Sequence, residues 1–208
     1  MLPDESLAAW WPLTGRDALR RELEAAYADP ARGYHDTRHL AEVFARLDEL
    51  AEVPQDRDAV LLAAWFHDAV YDGRAGDEER SAEWAEAALT GEPTLPDQTV
   101  AEVARLVRMT ERHDPAEDDA NGGVLSDADL AILAAPKARY DEYVAEVRRE
   151  YAHVDDADFD AGRSAILADL LGRPALFHTA HAREHWEPAA RANLARELSA
   201  RAAAARRP

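Results

Sequence analysis

The chain has 208 residues, enough to bury a sizeable core, and this length favours one domain over two. It contains no cysteine, which excludes disulfides and thiolate metal sites, so any metal must be held by His, Asp, Glu or water. A net charge of −18 argues against a nucleic-acid polymer or an anionic membrane as the main partner, although it allows a small phosphorylated substrate.

The beginning of the chain carries no targeting signal. Its first residues, MLPDESLAAWW, include neither a basic region nor a long apolar stretch. No later segment reaches the roughly 18–20 apolar residues that a membrane span needs. We therefore expect a cytoplasmic protein without a membrane partner.

Helical patterns recur along the chain, and strand patterns are almost absent. Asp36 can cap a helix on which Leu40, Val43, Phe44 and Leu47 mark one apolar face. The stretch EDDANGG around Asn121 is predicted to be a loop. Other helices are predicted from about 56 to 68, from about 77 to 90, from 97 onward, and over 127–133, 137–151, 156–171 and about 184 onward.

The absence of repeats and of low-complexity linkers favours a single all-α domain over residues 1–208, with eight or more helices. Its metal-site core is expected at about 34–135, and the C-terminal helices of residues 137–206 are expected to pack on that core. Whether the chain forms a homodimer is left open by the sequence.

Four side chains of metal-binding type lie on separate predicted helices. His39 is early on the second helix, His67 and Asp68 end the third, and Asp129 follows the glycine-rich loop. Ligands from separate helices are typical of a site between the helices of a bundle. Two imidazoles and two carboxylates form a hard-to-borderline site that leaves positions open for water and substrate.

The order His…His-Asp…Asp, with the segments YHDTRHLAEV, WFHDAVYD, DEERSAE and LSDADLAIL, resembles the HD superfamily of metal-dependent phosphohydrolases. The closer resemblance is to a small bacterial branch of predicted HD phosphohydrolases, and the motifs span about 34–129. It implies a helical bundle in which one divalent ion (Mn, Fe, Ni, Co, Zn or Mg) activates water to attack a phosphoester, with room for a second ion. The implied ligands are His39, His67, Asp68 and Asp129.

Two ligand positions have neighbours of the same type. His35 and His39 are four residues apart and share a helix face, so either can be the first ligand, and the family motif favours His39. Asp127 and Asp129 are two residues apart and point differently on a helix. The family motif favours Asp129, whereas Asp127 is expected to cap the short helix.

Proton transfer needs a further acid. Asp72 follows the His-Asp pair by four residues, one turn on if the helix continues, and Glu79 or its neighbour Glu78 is the alternative. For each of these acids, a solvated residue or a helix cap is an equal alternative. HD enzymes that remove pyrophosphate from alarmones carry Glu-Asp where this chain has Tyr71-Asp72, which argues against that substrate.

Substrate phosphate is expected to meet Arg38, Arg80, His35 and His113. Arg80 can instead form ion pairs within its glutamate-rich helix, and His113 can instead stabilise a helix C-terminus or bind a second metal.

The sequence therefore predicts a metal-dependent phosphohydrolase acting on a small phosphorylated metabolite, with nucleotides among the candidates. One alternative is a non-catalytic helical module that binds metal and a nucleotide. A minor alternative is a di-iron oxygenase of the HD type. The sequence does not specify the native metal or the substrate.

Overall fold

A computed structural model describes residues 7–51 and 53–204. Within these residues it contains α-helices, two short 3-10 helices and no strand, which confirms the all-α prediction. None of the described helices is long and apolar enough to cross a bilayer. The helices are α1 (Asp17–Tyr27), α2 (Thr37–Glu49), α3 (Arg57–Phe66), α4 (Asp77–Leu89), α5 (Asp97–Met109), α6 (Ala120–Leu130), α7 (Lys137–Glu150), α8 (Asp156–Gly172), α9 (Ala180–His185) and α10 (Glu187–Ala204).

The chain divides into two compact units, Met1–Asp129 and Leu130–Pro208. The N-terminal unit contains α1 to α5 and α6 as far as Asp129, and the C-terminal unit contains α7 to α10. The organisation as one domain, with its core at about 34–135, stays a prediction.

Helix α3 forms the centre of the N-terminal unit. Every residue from Ala59 to Phe66 is buried, and α2, α4 and α5 pack around the helix. A helix that is apolar on all sides must be enclosed in this way to remove its surface from water. Its N-terminus is capped by Asp56, whose carboxylate accepts a hydrogen bond from the backbone N–H of Ala59 at 3.0 Å.

The C-terminal end of α3 differs from the prediction. The helix ends at Phe66, His67 is its C-cap, and Asp68 lies in the turn beyond. Because the helix does not continue, Asp72 is not one helical turn further along the same face. The His-Asp pair thus stands just beyond the end of the central helix, and both residues are still buried.

Helix α2 begins as predicted. The Asp36 carboxylate accepts hydrogen bonds from the backbone N–H groups of Arg38 and His39, at 2.8 and 3.1 Å. The buried face of α2 includes His39 in its first turn, and α2 packs against α3. This packing brings the first turn of one helix to the last turn of the other.

The predicted loop around Asn121 is wrong, because α6 already begins at Ala120. The side-chain oxygen of Asn121 accepts hydrogen bonds from the backbone N–H groups of Gln55 and Asp56, at 2.8 and 3.0 Å. A Cβ at Gly122 would lie 2.9 Å from the Pro115 Cβ, so only glycine permits this approach. The polar, glycine-rich composition therefore reflects close packing of a helix start.

The short helix predicted over 127–133 is also corrected, because α6 runs to Leu130 and a 3-10 helix follows over Ala131–Ala134. Asp127 is fully buried within α6 and cannot cap a helix that starts at Ala120.

The C-terminal unit has a buried ionic network of its own, formed by Tyr140, Tyr143, Arg163, Glu197 and Arg201. Two guanidinium nitrogens of Arg163 donate to the two carboxylate oxygens of Glu197, each at 3.0 Å. The Tyr140 hydroxyl and the Arg201 Nε also donate to Glu197, at 2.7 and 2.9 Å. This Arg163–Glu197 network joins α7, α8 and α10.

Candidate metal centre

Four side chains of the N-terminal unit converge on one point, and we refer to them as the His–Asp cluster (His39, His67, Asp68 and Asp129). The Nε2 atoms of His39 and His67 are 3.1 Å apart. Asp68 Oδ2 lies 3.0 Å from His67 Nε2 and 3.4 Å from His39 Nε2. Asp129 Oδ1 lies 3.2 Å from His39 Nε2 and 3.6 Å from His67 Nε2.

These separations fit ligands that share one cation. Nitrogen and oxygen ligands lie about 2.0–2.2 Å from a transition metal, so neighbouring ligand atoms are about 3.0–3.5 Å apart. His39, His67 and Asp129 form a buried group whose ligand atoms all lie within 4.8 Å of one another, and this group can hold a metal ion. The donor set of imidazoles and carboxylates suits Mn, Fe, Co, Ni and Zn.

The ring orientations also suit metal binding. His67 Nδ1 lies 2.8 Å from the carbonyl oxygen of Ala64, which can only accept a hydrogen bond. The proton of the neutral ring is therefore on Nδ1, and the Nε2 lone pair points toward His39 Nε2. His39 Nδ1 contacts the Tyr34 hydroxyl at 3.0 Å, which holds the second ring with its Nε2 toward His67 Nε2.

The cluster has the electrostatics of a cation site. Burial lowers the pKa of His39, but hydrogen bonds to Asp129 and Asp68 outweigh it and raise the pKa to about 9. Burial likewise opposes protonation of His67, yet the charge of Asp68 holds its pKa well above the usual range. The pKa values of Asp68 and Asp129 are lowered despite burial, chiefly by the charge of His67. Two buried carboxylates that stabilise positive charge on the neighbouring imidazoles can stabilise a divalent cation in the same place.

His113 stands beside the cluster. Its Nε2 lies 3.5 Å from Asp129 Oδ2, the oxygen that does not face His39, and its Nδ1 lies 3.3 Å from the Ser126 hydroxyl. Its backbone φ is +49°, in the left-handed region that costs energy for a residue with a side chain. The structure thus places His113 next to Asp129, and its predicted contact with phosphate or a second metal stays a prediction.

His35 lies outside the cluster, and the structure places His39 there instead. The His35 ring stacks on Tyr71, with ring centroids 4.0 Å apart, and meets the His39 ring edge-on at 5.5 Å. The charge of His35 also contributes to the lowered pKa of Asp68. His35 is therefore a neighbour of the cluster, and its role in binding substrate stays a prediction.

Asp72 and Arg80 pair with each other. Arg80 donates two hydrogen bonds to the Asp72 carboxylate, at 3.0 and 2.9 Å, and these lower the pKa of Asp72 to about 2. The buried Asp77 accepts from the backbone N–H groups of Asp72 and Gly73, at 3.1 and 3.0 Å, and also pairs with Arg80. These contacts order the turn that follows the His-Asp pair.

Glu78 and Glu79 differ in environment. The exposed Glu79 forms two hydrogen bonds with Arg108, both 2.7 Å, and its pKa is lowered by them. Glu78 is half-buried, and burial together with the charge of Asp68 raises its pKa. Of the acids considered for proton transfer, Glu78 is thus the one whose charge interacts with the cluster.

Arg38 is exposed on the first turn of α2, and its Nε donates to Glu42 at 3.2 Å.

Sequence reasoning missed three buried side chains around the cluster: Tyr27, Arg32 and Tyr34. The Tyr27 hydroxyl accepts a hydrogen bond from the backbone N–H of Asp68 at 3.2 Å. Arg32 donates to backbone carbonyls on both ligand-bearing turns. Tyr34 stands in the YHDTRH motif and could have been suspected there, whereas Tyr27 and Arg32 belong to no pattern.

Comparison of the chain with protein-family models, with curated proteins and with solved structures gives no match. The resemblance to the HD superfamily therefore stays a prediction drawn from the motifs.

Proposed function

We propose that the chain is a metal-dependent phosphohydrolase of the HD type, acting on a small phosphorylated metabolite, with nucleotides among the candidate substrates. The observation that carries the proposal is the convergence of two imidazole Nε2 atoms and two carboxylates at separations of 3.0–3.6 Å. The two histidine side chains are 2% exposed or less, whereas Asp68 and Asp129 are 12% and 13% exposed. The cluster therefore opens toward solvent on its carboxylate side.

His39, His67, Asp68 and Asp129 would hold the divalent cation, which would supply Lewis-acid activation of water and of a phosphoryl oxygen. Tyr34 and the Ala64 carbonyl hold the two imidazoles in the orientation that presents Nε2. Asp68 and Asp129 form the more exposed side of the cluster, where water and a substrate oxygen would reach a bound cation.

In this proposal, Glu78 and His113 are the residues that assist proton transfer. Glu78 is half-buried and its pKa is raised, so it exchanges a proton more readily near neutral pH than the ion-paired Asp72 or Glu79. His113 is held beside Asp129 by its contact with Ser126 and can orient a leaving oxygen there. His35 meets the His39 ring edge-on at 5.5 Å, and in this proposal it would contact a phosphate oxygen.

The decisive experiment is elemental analysis of protein purified without chelator, comparing wild type with His67→Ala and Asp68→Ala. We expect about one Mn, Fe, Co, Ni or Zn per wild-type chain and loss of the metal in both variants, with helical content unchanged. His153→Ala is the matched control, because His153 stacks on Tyr151 in the C-terminal unit and should leave the metal in place.

The loaded protein is then assayed on a panel of phosphoesters for release of inorganic phosphate. Metal that is absent from wild type even after reconstitution, or retained by both ligand variants, would refute the proposal. Metal binding with tight nucleotide binding and no turnover would favour the non-catalytic module instead.

The di-iron oxygenase alternative has one observation in its favour. His113 faces the Asp129 oxygen that is turned away from His39, the arrangement in which a carboxylate can bridge two cations. In the part of the chain that the structure describes, however, only one group of three or more ligands converges. Two irons per chain and an oxygen-dependent product would establish this alternative over hydrolysis.

A further inference from the structure

Arg32 is a buried arginine with an unusual set of partners. It is 9% exposed and lies between the rings of Tyr27 and Tyr71, whose centroids are 5.0 and 5.8 Å from its Cζ. Its Nη1 donates to the carbonyl oxygens of His35 and Asp68, at 2.7 and 2.8 Å, and its Nη2 donates to that of Ala69 at 3.1 Å. These acceptors are backbone carbonyls, whereas buried guanidinium groups usually pair with a carboxylate.

The three carbonyls belong to the two turns that bear metal ligands. Asp68 and Ala69 lie in the turn beyond the C-cap His67 of α3, where their backbone carbonyls are outside the helix and need other partners. His35 precedes α2, on which His39 lies in the first turn. One planar guanidinium therefore ties the turn containing the His-Asp pair to the turn that leads into His39.

We infer that Arg32 is a positioning residue, which holds His39 in register with His67 and Asp68 so that their donor atoms meet at one cation. The inference rests on the proposed metal site, because it assigns a role in assembling that site. Arg32 has no contact with the ligand atoms themselves and acts through the backbone on which they stand.

Two substitutions separate the charge of Arg32 from its shape. Arg32→Met keeps much of the apolar stem between the two tyrosine rings but removes every donor. Arg32→Lys keeps the charge, but a single ammonium group cannot span carbonyls on two turns as the planar fork does. We expect both variants to bind metal more weakly, by about 10–100-fold, the usual effect of losing an outer-shell partner.

The experiment is a titration of the metal-free full-length protein with Co²⁺ alone, monitored by the visible absorption of the bound ion. Affinity and the shape of the spectrum are compared for wild type, Arg32→Met and Arg32→Lys, with far-ultraviolet circular dichroism and thermal unfolding of each metal-free protein. The spectrum reports coordination geometry, which a loss of general stability does not alter.

The matched control is Arg163→Met. Arg163 is equally buried, at 8% exposed, but it pairs with Glu197 in the C-terminal unit. We expect this control to unfold at lower temperature yet to bind Co²⁺ with the wild-type affinity and spectrum. The Arg32 variants should show the opposite result, a changed spectrum and affinity with folded helices.

Wild-type affinity and spectrum in a folded Arg32→Met protein would overturn the inference and leave the metal site standing. If Arg32→Met does not fold, the test uses Arg32→Lys alone. Wild-type Co²⁺ affinity and spectrum in the lysine variant would equally overturn the role of the planar guanidinium. Failure of the wild-type protein to bind Co²⁺ would overturn both the metal site and the role of Arg32.

Discussion

The two units each bury a group of ionisable side chains, and the groups differ in how their charges are satisfied. Taken as whole residues, backbone included, Glu197 and Asp68 are 8% and 9% exposed. Around Glu197 the acceptor oxygens meet donors from Arg163, Tyr140 and Arg201. In the His–Asp cluster, by contrast, two imidazole Nε2 atoms and two carboxylates face one another at 3.0–3.6 Å.

This difference separates a structural group from a functional one. Buried polar atoms need hydrogen-bond partners. Where neighbouring helices supply a partner for every such atom, the polar group connects those helices. A fold that turns several acceptors toward one point requires a proton or a cation there. By this criterion the Arg163–Glu197 network holds three helices together, whereas the His–Asp cluster can hold a cation.

The largest loss of stability is expected from a substitution in the Arg163–Glu197 network. Arg163→Met removes the main donor to Glu197 and leaves a buried carboxylate with incomplete partners, which typically costs about 3–5 kcal/mol. Hydrogen exchange of the amides of α8 and α10 should therefore accelerate strongly. Unchanged exchange would show that the network does not hold these helices, and an Asp156→Asn variant at an exposed position is the control.

The second prediction concerns the metal affinity of the His–Asp cluster. Asp129→Asn removes a proposed ligand charge, so metal affinity should fall by at least about 100-fold, or about 2.7 kcal/mol, because a ligand contributes more than an outer-shell residue. The rise in unfolding temperature that metal gives the wild type should disappear in the variant. Asp127→Asn is the comparison two residues away, and metal loss there with retention in Asp129→Asn would reverse the ligand assignment.

The third prediction concerns the pH dependence of the stability that Glu197 contributes. Burial raises the pKa of Glu197, but hydrogen bonds from Arg163 and Tyr140 outweigh it and hold the pKa below its ordinary value of 4.5. The unfolded chain therefore takes up protons first, and stability present above pH 4.5 is lost as the pH falls through the folded-state pKa.

Urea unfolding between pH 7 and pH 3 should show this loss in wild type, measured against Glu197→Gln. The variant is less stable at neutral pH, and the gap between the two proteins should narrow in acid. A gap that stays constant would mean that Glu197 has the same pKa in both states.

The smallest expected effect concerns two helical glycines. A Cβ at Gly122 would lie 2.3 Å from Asp119 Oδ2 and 2.9 Å from the Pro115 Cβ, so Gly122→Ala should destabilise the protein by about 1–3 kcal/mol. At Gly162, in α8, a Cβ would have no atom within 4 Å, so Gly162→Ala should stabilise by about 0.5–1 kcal/mol. Thermal unfolding of both variants checks the contrast, and equal shifts would contradict it.

The sequence was informative wherever a signal is local. Helical periodicity predicted the all-α class, and the Asp36 and Asp56 caps follow from side chains that bond to their own helix starts. It failed around Asn121, because two glycines and an asparagine are typical of a loop unless distant residues pack against them. The pairing of Asp72 with Arg80, and of Glu79 with Arg108, also depended on contacts beyond the reach of periodicity.

The sequence alone thus established that the chain is helical and that imidazoles and carboxylates stand near the starts and ends of its helices. It also excluded cysteine as a metal ligand. Only the tertiary structure decided which of these side chains meet, because a distance of 3 Å between atoms 28 residues apart depends on how α2 packs against α3. It also decided that Arg32 spans two turns, since the carbonyls it binds are the same in every residue and leave no trace in a sequence.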